Sequence, residues 1–285
     1  MPVEFTMTTQ PLTDLPVRKL SIDLASGFAR HWHGGDAYRS MYFNALSMSF
    51  PVGEQFFIDS VRAGVAVLED KPQHAALRAL CVQFIGQEST HRHLHGLYNR
   101  HLEGQGLRNR WQHWAQRRVE RCRRIGLSPL NQLAVTAAYE HFTAVLADAT
   151  LRYQWMDGAE EKLQRMWNWH AAEEMEHKTI AFDLYRVLGG GSLRRIAWYA
   201  YVFAIFATES TRQTLDNLRR DRSLWRLATW GSAWRFWCGG KGMLRRCSGP
   251  LLAYLKPGFH PDDDDNRALS AQWLARYSAY WTRLK

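Results

Sequence analysis

Four glutamates place the tightest constraint on how this chain folds. Glu54 precedes Glu88 by 34 residues, and Glu140 precedes Glu174 by the same 34. Their surroundings match at an offset of 86: Gly53-Glu54-Gln55-Phe56 corresponds to Tyr139-Glu140-His141-Phe142, and Gln87-Glu88-x-x-His91 to Glu173-Glu174-x-x-His177. Self-similarity at a fixed offset marks a duplicated structural unit. Here the unit is a pair of helices, the first carrying one Glu and the second Glu-x-x-His. Residues three and four apart share a helix face, so Glu88 with His91, and Glu174 with His177, can grip one ion. Two such hairpins packed as a four-helix bundle bring all six side chains into the core. Without an ion, Glu54 inside VGEQFFI and Glu140 inside AAYEHFTAVL would be buried carboxylates lacking partners, which is costly.

Four carboxylates neutralise two divalent cations. A donor set of carboxylate and imidazole with no thiolate favours iron or manganese over calcium or structural zinc, so two iron ions are expected, with manganese as the other option. Glu54 and Glu140 bridge or cap the pair. The second unit carries one more histidine: His170, Glu174 and His177 stand at i, i+4 and i+7 on one stripe, where the first unit has Phe84 in place of His170. His170 is expected as a seventh ligand on one of two unlike metal sites. His95, seven residues beyond Glu88, is read as a support of the ligands or as pocket lining, as are Phe84, Tyr139 and Phe142. Glu173 and Glu176 fall about 100–160° from the ligand stripe and are read as helix-surface acids.

Helical periodicity dominates the rest of the chain. An N-terminal arm over residues 1–35 leads into a short helix over about 36–48, a second from Pro51 to about Leu68, and a third over about 73–99. A basic, partly helical linker follows, then helices over about 129–156 and 159–188. The Gly189-Gly190-Gly191 triplet ends this bundle, placed at 36–191. Residues 192–285 form a helical extension with helices over about 192–218 and 263–283 and two shorter ones between them. Asp262 to Asp265 are read as complementing the last helix's N-terminus rather than as a metal site. The fold class is all-α, a four-helix bundle with added N- and C-terminal helices.

Charge is concentrated in the extension. From Arg186 to Lys256 there are 13 Lys/Arg against three Asp/Glu, equal to the whole chain's formal +10, together with five of the 13 tryptophans. Such a mixture suits an anionic membrane surface or an acidic carrier protein, or else is a solvated basic face. Nucleic acid is disfavoured, because no helix-turn-helix, finger or RNA-binding signature is present. The longest apolar run, Ile196 to Thr208, falls short of the roughly 20 residues a membrane span needs, which leaves a buried helix or an interfacial segment. Four scattered cysteines without C-x-x-C, and an N-terminus MPVEFTMTTQPLTD without an apolar stretch, point to a reducing cytoplasmic location, with a peripheral position at the inner membrane face as the variant. No G-x-S-x-G, G-x-G-x-x-G or Walker loop is present. The oligomeric state is left open, a homodimer among the options.

The six-ligand pattern resembles the ferritin-like di-iron carboxylate proteins, and H170-x-x-x-E-x-x-H177 resembles the p-aminobenzoate N-oxygenase type of arylamine oxygenase. Across most of the chain, GEQFFIDSVR, FIGQESTHRHLH, YEHFTA, WHAAEEMEHKTIAFD and YLKPGFHP are similar to a bacterial family described as predicted metal-dependent hydrolases. The resemblance implies a di-metal helical bundle. Three activities fit such a centre. The expected one is O2 activation by two irons, oxidising a small apolar, acyl or aromatic substrate with electrons from an external donor. The alternative is hydrolysis by two metals acting on water and a carbonyl or phosphoryl group, set back by the absence of Asp ligands and by a location inside a helical core. Iron handling or ferroxidase activity is the third.

Overall fold

In the computed structural model, which describes residues 12–284, the helices announced by the repeat are long and the rest of the chain is arranged around them. Helix α1 (Ala37–Val67) and α2 (Ala75–Gly104) form the first hairpin. After α3 (Arg110–Arg124), helices α4 (Pro129–Arg152), α5 (Glu161–His177) and α6 (Ile180–Val187) form the second. Local chemistry sets the starts. Asp36 accepts from Arg39 N at 3.0 Å ahead of α1, Asn109 accepts from Gln112 N at 2.9 Å ahead of α3, and Ser128 caps α4 with Pro129 at its first position. The bundle closes as a ring: α1 packs on α2 and α4, and α5 on α4 and α2. Helix α7 (Ser192–Arg220) lies along α1 and α4, α8 (Leu227–Cys238) packs on α1, α9 (Met243–Ala253) on α4, and α10 (Arg267–Arg276) on α5.

Three expectations about elements are corrected. Residues 36–48 and 51–68 are one helix, with Pro51 inside α1. Proline has no N–H for the carbonyl four residues back, Ser47 O. The amide of Asn99 on α2 supplies one instead, Nδ2 donating at 2.9 Å, and Asn109 Nδ2 donates to the next carbonyl, Met48 O, at 2.9 Å. Donors from neighbouring elements let the helix run through its proline. The expected helix over 159–188 is divided at Lys178–Thr179, where the buried Lys178 ammonium is drawn to Asn266 Oδ1 at 2.9 Å. The expected helix over 263–283 is a 3₁₀ turn at Pro261–Asp263, the shorter α10, a second 3₁₀ turn and a strand. Of the four acids, Asp265 accepts from Arg267 N at 3.3 Å at the start of α10, and Asp262 lies 3.6 Å from the Arg267 guanidinium.

That strand, β2 (Trp281–Arg283), pairs antiparallel with β1 (Arg18–Leu20). The two ends of the described chain are thereby clasped beside α2 and α5. Gly86 makes room: a Cβ there would stand 2.4 Å from Val17 Cγ2, so only glycine lets the arm lie this close to α2. The first 11 residues, on which the reading of the N-terminus partly rests, lie outside the described residues.

No described helix is long and apolar enough to cross a membrane. The apolar run on α7 is neither wholly buried nor wholly free: Tyr199 and Val202 face the core, while Tyr201 and Phe203 are about half exposed. On α8, Thr229, Ala233 and Phe236 pack inward and Trp234 points out, with Leu227 at the helix start and Trp225 just before it each 90% exposed. The four cysteines are free.

Candidate metal centre

Glu54 from α1, Glu88 and His91 from α2, Glu140 from α4, and His170, Glu174 and His177 from α5 meet inside the bundle, every one of them buried. Their donor atoms form overlapping groups able to hold a metal: Glu54, Glu88 and His91; His91, His170 and Glu174; and Glu88, Glu140 and His177. Glu88 belongs to groups on both sides. Glu174 Oε1 lies 3.5 Å from His91 Nδ1 and 3.5 Å from His177 Nε2, so it too stands between the halves. Glu54 falls in a group with His91 and Glu140 in one with His177, whereas Glu88 falls in both.

The hydrogen-bond directions around the three imidazoles are fixed from outside. Pro16 O can only accept, so Gln87 turns Nε2 to it at 2.9 Å. Gln87 Oε1 then accepts from His177 Nδ1–H at 2.9 Å, which leaves the His177 Nε2 lone pair facing Glu140 and Glu88. Glu173 accepts from His91 Nε2–H at 2.9 Å and leaves Nδ1 facing the centre. Arg18 of β1 donates to Glu173 at 3.0 Å and grips Glu176 through two nitrogens.

The third chain of bonds begins at the carbonyl that Pro51 frees. Asn99, with Nδ2 committed to Ser47 O, presents Oδ1 to the Ser47 hydroxyl at 2.8 Å. Ser47 Oγ, its proton spent, accepts from His95 Nδ1–H at 2.8 Å, and His95 Nε2 accepts from His170 Nδ1–H at 2.7 Å. His170 Nε2 is left as a lone pair 2.8 Å from Glu174 Oε1. Two acceptors at that distance need a cation between them. Polar partners behind metal-binding histidines act in this way, setting tautomer and ring orientation.

The fit to metal rests on what remains unpaired. Both carboxylate oxygens of Glu54, Glu88 and Glu140, Glu174 Oε2, His91 Nδ1 and His177 Nε2 are buried without a hydrogen-bond partner, although buried polar groups are almost always paired. Burial, reinforced by the neighbouring carboxylates, pushes Glu54, Glu88 and Glu140 well above the usual carboxyl range. Burial pushes Glu174 upward too, but the histidines around it outweigh this and hold it well below that range. Burial brings His170 down to about 4, so its imidazole is neutral, as a ligand must be.

Sequence reasoning missed Glu173. It is wholly buried and orients His91, rather than lying on the surface, and Glu176 is drawn inward by the same arginine. The signal was present in the repeat. Gln87 and Glu173 are equivalent at the offset of 86, and each supports the histidine of the opposite unit. Arg18, far away in sequence, left no comparable trace. Of the other expected residues, His95 bonds His170, Phe84 packs edge-on against His177 at 5.0 Å, and Tyr139 lines a cavity. Phe142 instead stacks on Tyr199 and Phe206 at 5.2 and 5.3 Å, tying α4 to α7.

Two cavities adjoin the centre. One of about 590 Å³ reaches Glu54; a smaller one of about 50 Å³ touches His170 and Glu174. Phe50, Thr143 and Phe206 form walls of both.

Fold and centre together define an all-α protein with a buried carboxylate–histidine metal centre. The chain belongs to the family described as predicted metal-dependent hydrolases, whose model matches residues 16–265. Among curated proteins and among solved structures, none matches. The family assignment overturns the expected O2-activating oxidation. The location inside a helical core had counted against hydrolysis, but the larger cavity opens that core from the Glu54 side.

Proposed function

We propose that this chain is a binuclear metal-dependent hydrolase whose ions are held by Glu54, Glu88, His91, Glu140, His170, Glu174 and His177. The observation that carries this reading is the set of buried, unpaired oxygens and imidazole lone pairs converging from four helices. The donor set suits iron or manganese. Divalent ions supply Lewis-acid polarisation of a carbonyl or phosphoryl oxygen and shift the pKa of water toward neutrality. The chain's own residues do the remainder. Gln87, Glu173 and His95 hold the three imidazoles with their lone pairs inward. The cavity beside Glu54 receives the substrate between apolar walls that exclude bulk water, and Arg118, paired with Glu209, sets a cation on that wall. Burial raises the Tyr139 phenol to about 12 and keeps it a neutral donor.

The test is metal analysis joined to turnover of carboxylic and phosphoric ester panels. Two ions per chain, hydrolysis abolished by chelation and restored by metal, support the reading; a chain that takes up no metal, or cleaves no ester when loaded, refutes it. Thermal stability against pH gives a second readout. In chelated protein the raised carboxyls of Glu54, Glu88 and Glu140 keep protons that the unfolded chain sheds above about 4.5. The folded state then binds more protons, so stability falls as pH rises, by about 1.4 kcal/mol per pH unit for each such proton. His170, depressed to about 4 by burial, acts oppositely, its contribution being lost as pH falls from about 6.5 toward 4. Above pH 6.5 only the carboxyl slope remains, with Glu173, raised to about 8 by burial, adding to it up to that pH, and metal loading should abolish the part due to Glu54, Glu88 and Glu140.

A further inference from the structure

The larger cavity has its polar end at Glu54, the one carboxylate among its lining residues. Its walls between there and the surface are mostly apolar, with Val52, Phe56, Phe57, Trp111, Val135 and Phe206 among them. At about 590 Å³ it has the size of a small-molecule site. Arg121, Ile125, Ala197 and Tyr201 are its solvent-exposed lining residues, so the mouth lies between the end of α3 and the first half of α7. Outside it the apolar surface continues along α7 through Tyr201 to Phe203 and Leu193, the last 87% exposed. An apolar path therefore runs from the surface to a metal-binding carboxylate.

A sugar, nucleotide or peptide laid along these walls would find partners only near Arg118, Arg121, Tyr139 and Thr143 and would strand most of its polar groups, at a cost of a few kcal/mol each. A hydrocarbon chain strands none. We propose that the substrate is an acyl compound whose chain enters between α3 and α7 and fills this cavity, its acyl carbon beside Glu54; this rests on the hydrolase reading. Water adds to the acyl carbon, the bond from that carbon to the leaving oxygen breaks, and the leaving group takes up a proton and departs as an alcohol through the same mouth, which leaves a carboxylic acid with no oxidant or reductant consumed; the cavity of about 590 Å³ holds both parts before cleavage. The cavity of about 50 Å³ beside His170 and Glu174 has room for water but for no organic group of this size.

Saturated carboxylates from butanoate to hexadecanoate serve as probes, titrated by calorimetry into metal-loaded and chelated protein, alongside hydrolysis of p-nitrophenyl esters of the same chain lengths. Affinity and kcat/KM should rise about fourfold per added methylene, the equivalent of about 0.8 kcal/mol, and level off once the cavity is full. Ala197→Trp, a plug at an exposed mouth position, should flatten the rise, and Ile125→Trp serves if that variant does not fold. Ester cleavage with no chain-length dependence, or a dependence that both plugs leave intact, overturns the acyl proposal and leaves the hydrolase reading standing. Chain-dependent carboxylate binding with no ester cleaved by loaded protein overturns the hydrolase reading, and with it the acyl substrate.

Discussion

On one side of the centre stand Glu54, His91 and His170; behind them are Glu173 held by Arg18, and the His95–Ser47–Asn99 chain, and both cavities open here. On the other side stand Glu140 and His177, the latter backed by the neutral Gln87 and packed edge-on by Phe84. Duplication supplied the same frame twice. Two equivalent pairs differ, Glu173 against Gln87 and His170 against Phe84, and each difference places an acid or an imidazole on the half that the two cavities adjoin. A carboxylate behind a histidine strengthens it as a donor more than an amide does. On the hydrolase reading, the half beside the cavities is the one that meets the substrate.

The largest effect should come from a residue common to both halves. Glu88→Gln keeps shape and removes a bridging charge, so both ions should be lost and hydrolysis should fall at least about a thousandfold. Glu54→Gln and Glu140→Gln should each release one ion, and mass spectrometry of the metallated protein counts them. If all three variants release one ion apiece, Glu88 is not shared and the division into halves is wrong. A smaller effect is expected when the difference itself is erased. Glu173→Gln makes the His91 support an amide, like that of His177, and should weaken the ion on that side about 10–100-fold while leaving the other in place. Equal weakening of both ions would show that the halves do not act separately.

The ligand frame was legible in the sequence because a metal site on helices must repeat every three or four residues, and duplication printed the pattern twice. Gln87 and Glu173 were legible only in part: angular position on an isolated helix made Glu173 a surface residue, whereas the bundle buries more than one face of α5. Arg18 could not be read, since nothing local to residues 18–20 tells of a strand that pairs with the far end of the chain. Pro51 misled for a related reason. Proline is a sound sign of a helix start, but the donors that carry α1 past it come from Asn99 and Asn109 on other elements. The cavity, formed where α1, α3, α4 and α7 meet, is a property of packing, and the aromatic residues that line it read equally well as core.

The smallest effect concerns the chain that begins at Pro51. Ser47→Ala removes one buried oxygen and leaves His95 Nδ1 with no acceptor. His95 is then free to carry its proton on Nε2, facing His170 Nδ1. His170 must in turn hold its own proton on Nε2, the nitrogen turned toward Glu174, and a protonated nitrogen is no ligand. The expected result is about tenfold weaker binding of the ion on the Glu54 side, unchanged binding on the Glu140 side, and a shift of the His170 tautomer visible in nitrogen-15 NMR of the chelated protein. A plain packing defect would lower stability and leave the tautomer alone. Should His170 keep its proton on Nδ1 in Ser47→Ala, the serine is filler and the extra histidine is oriented by Glu174 alone.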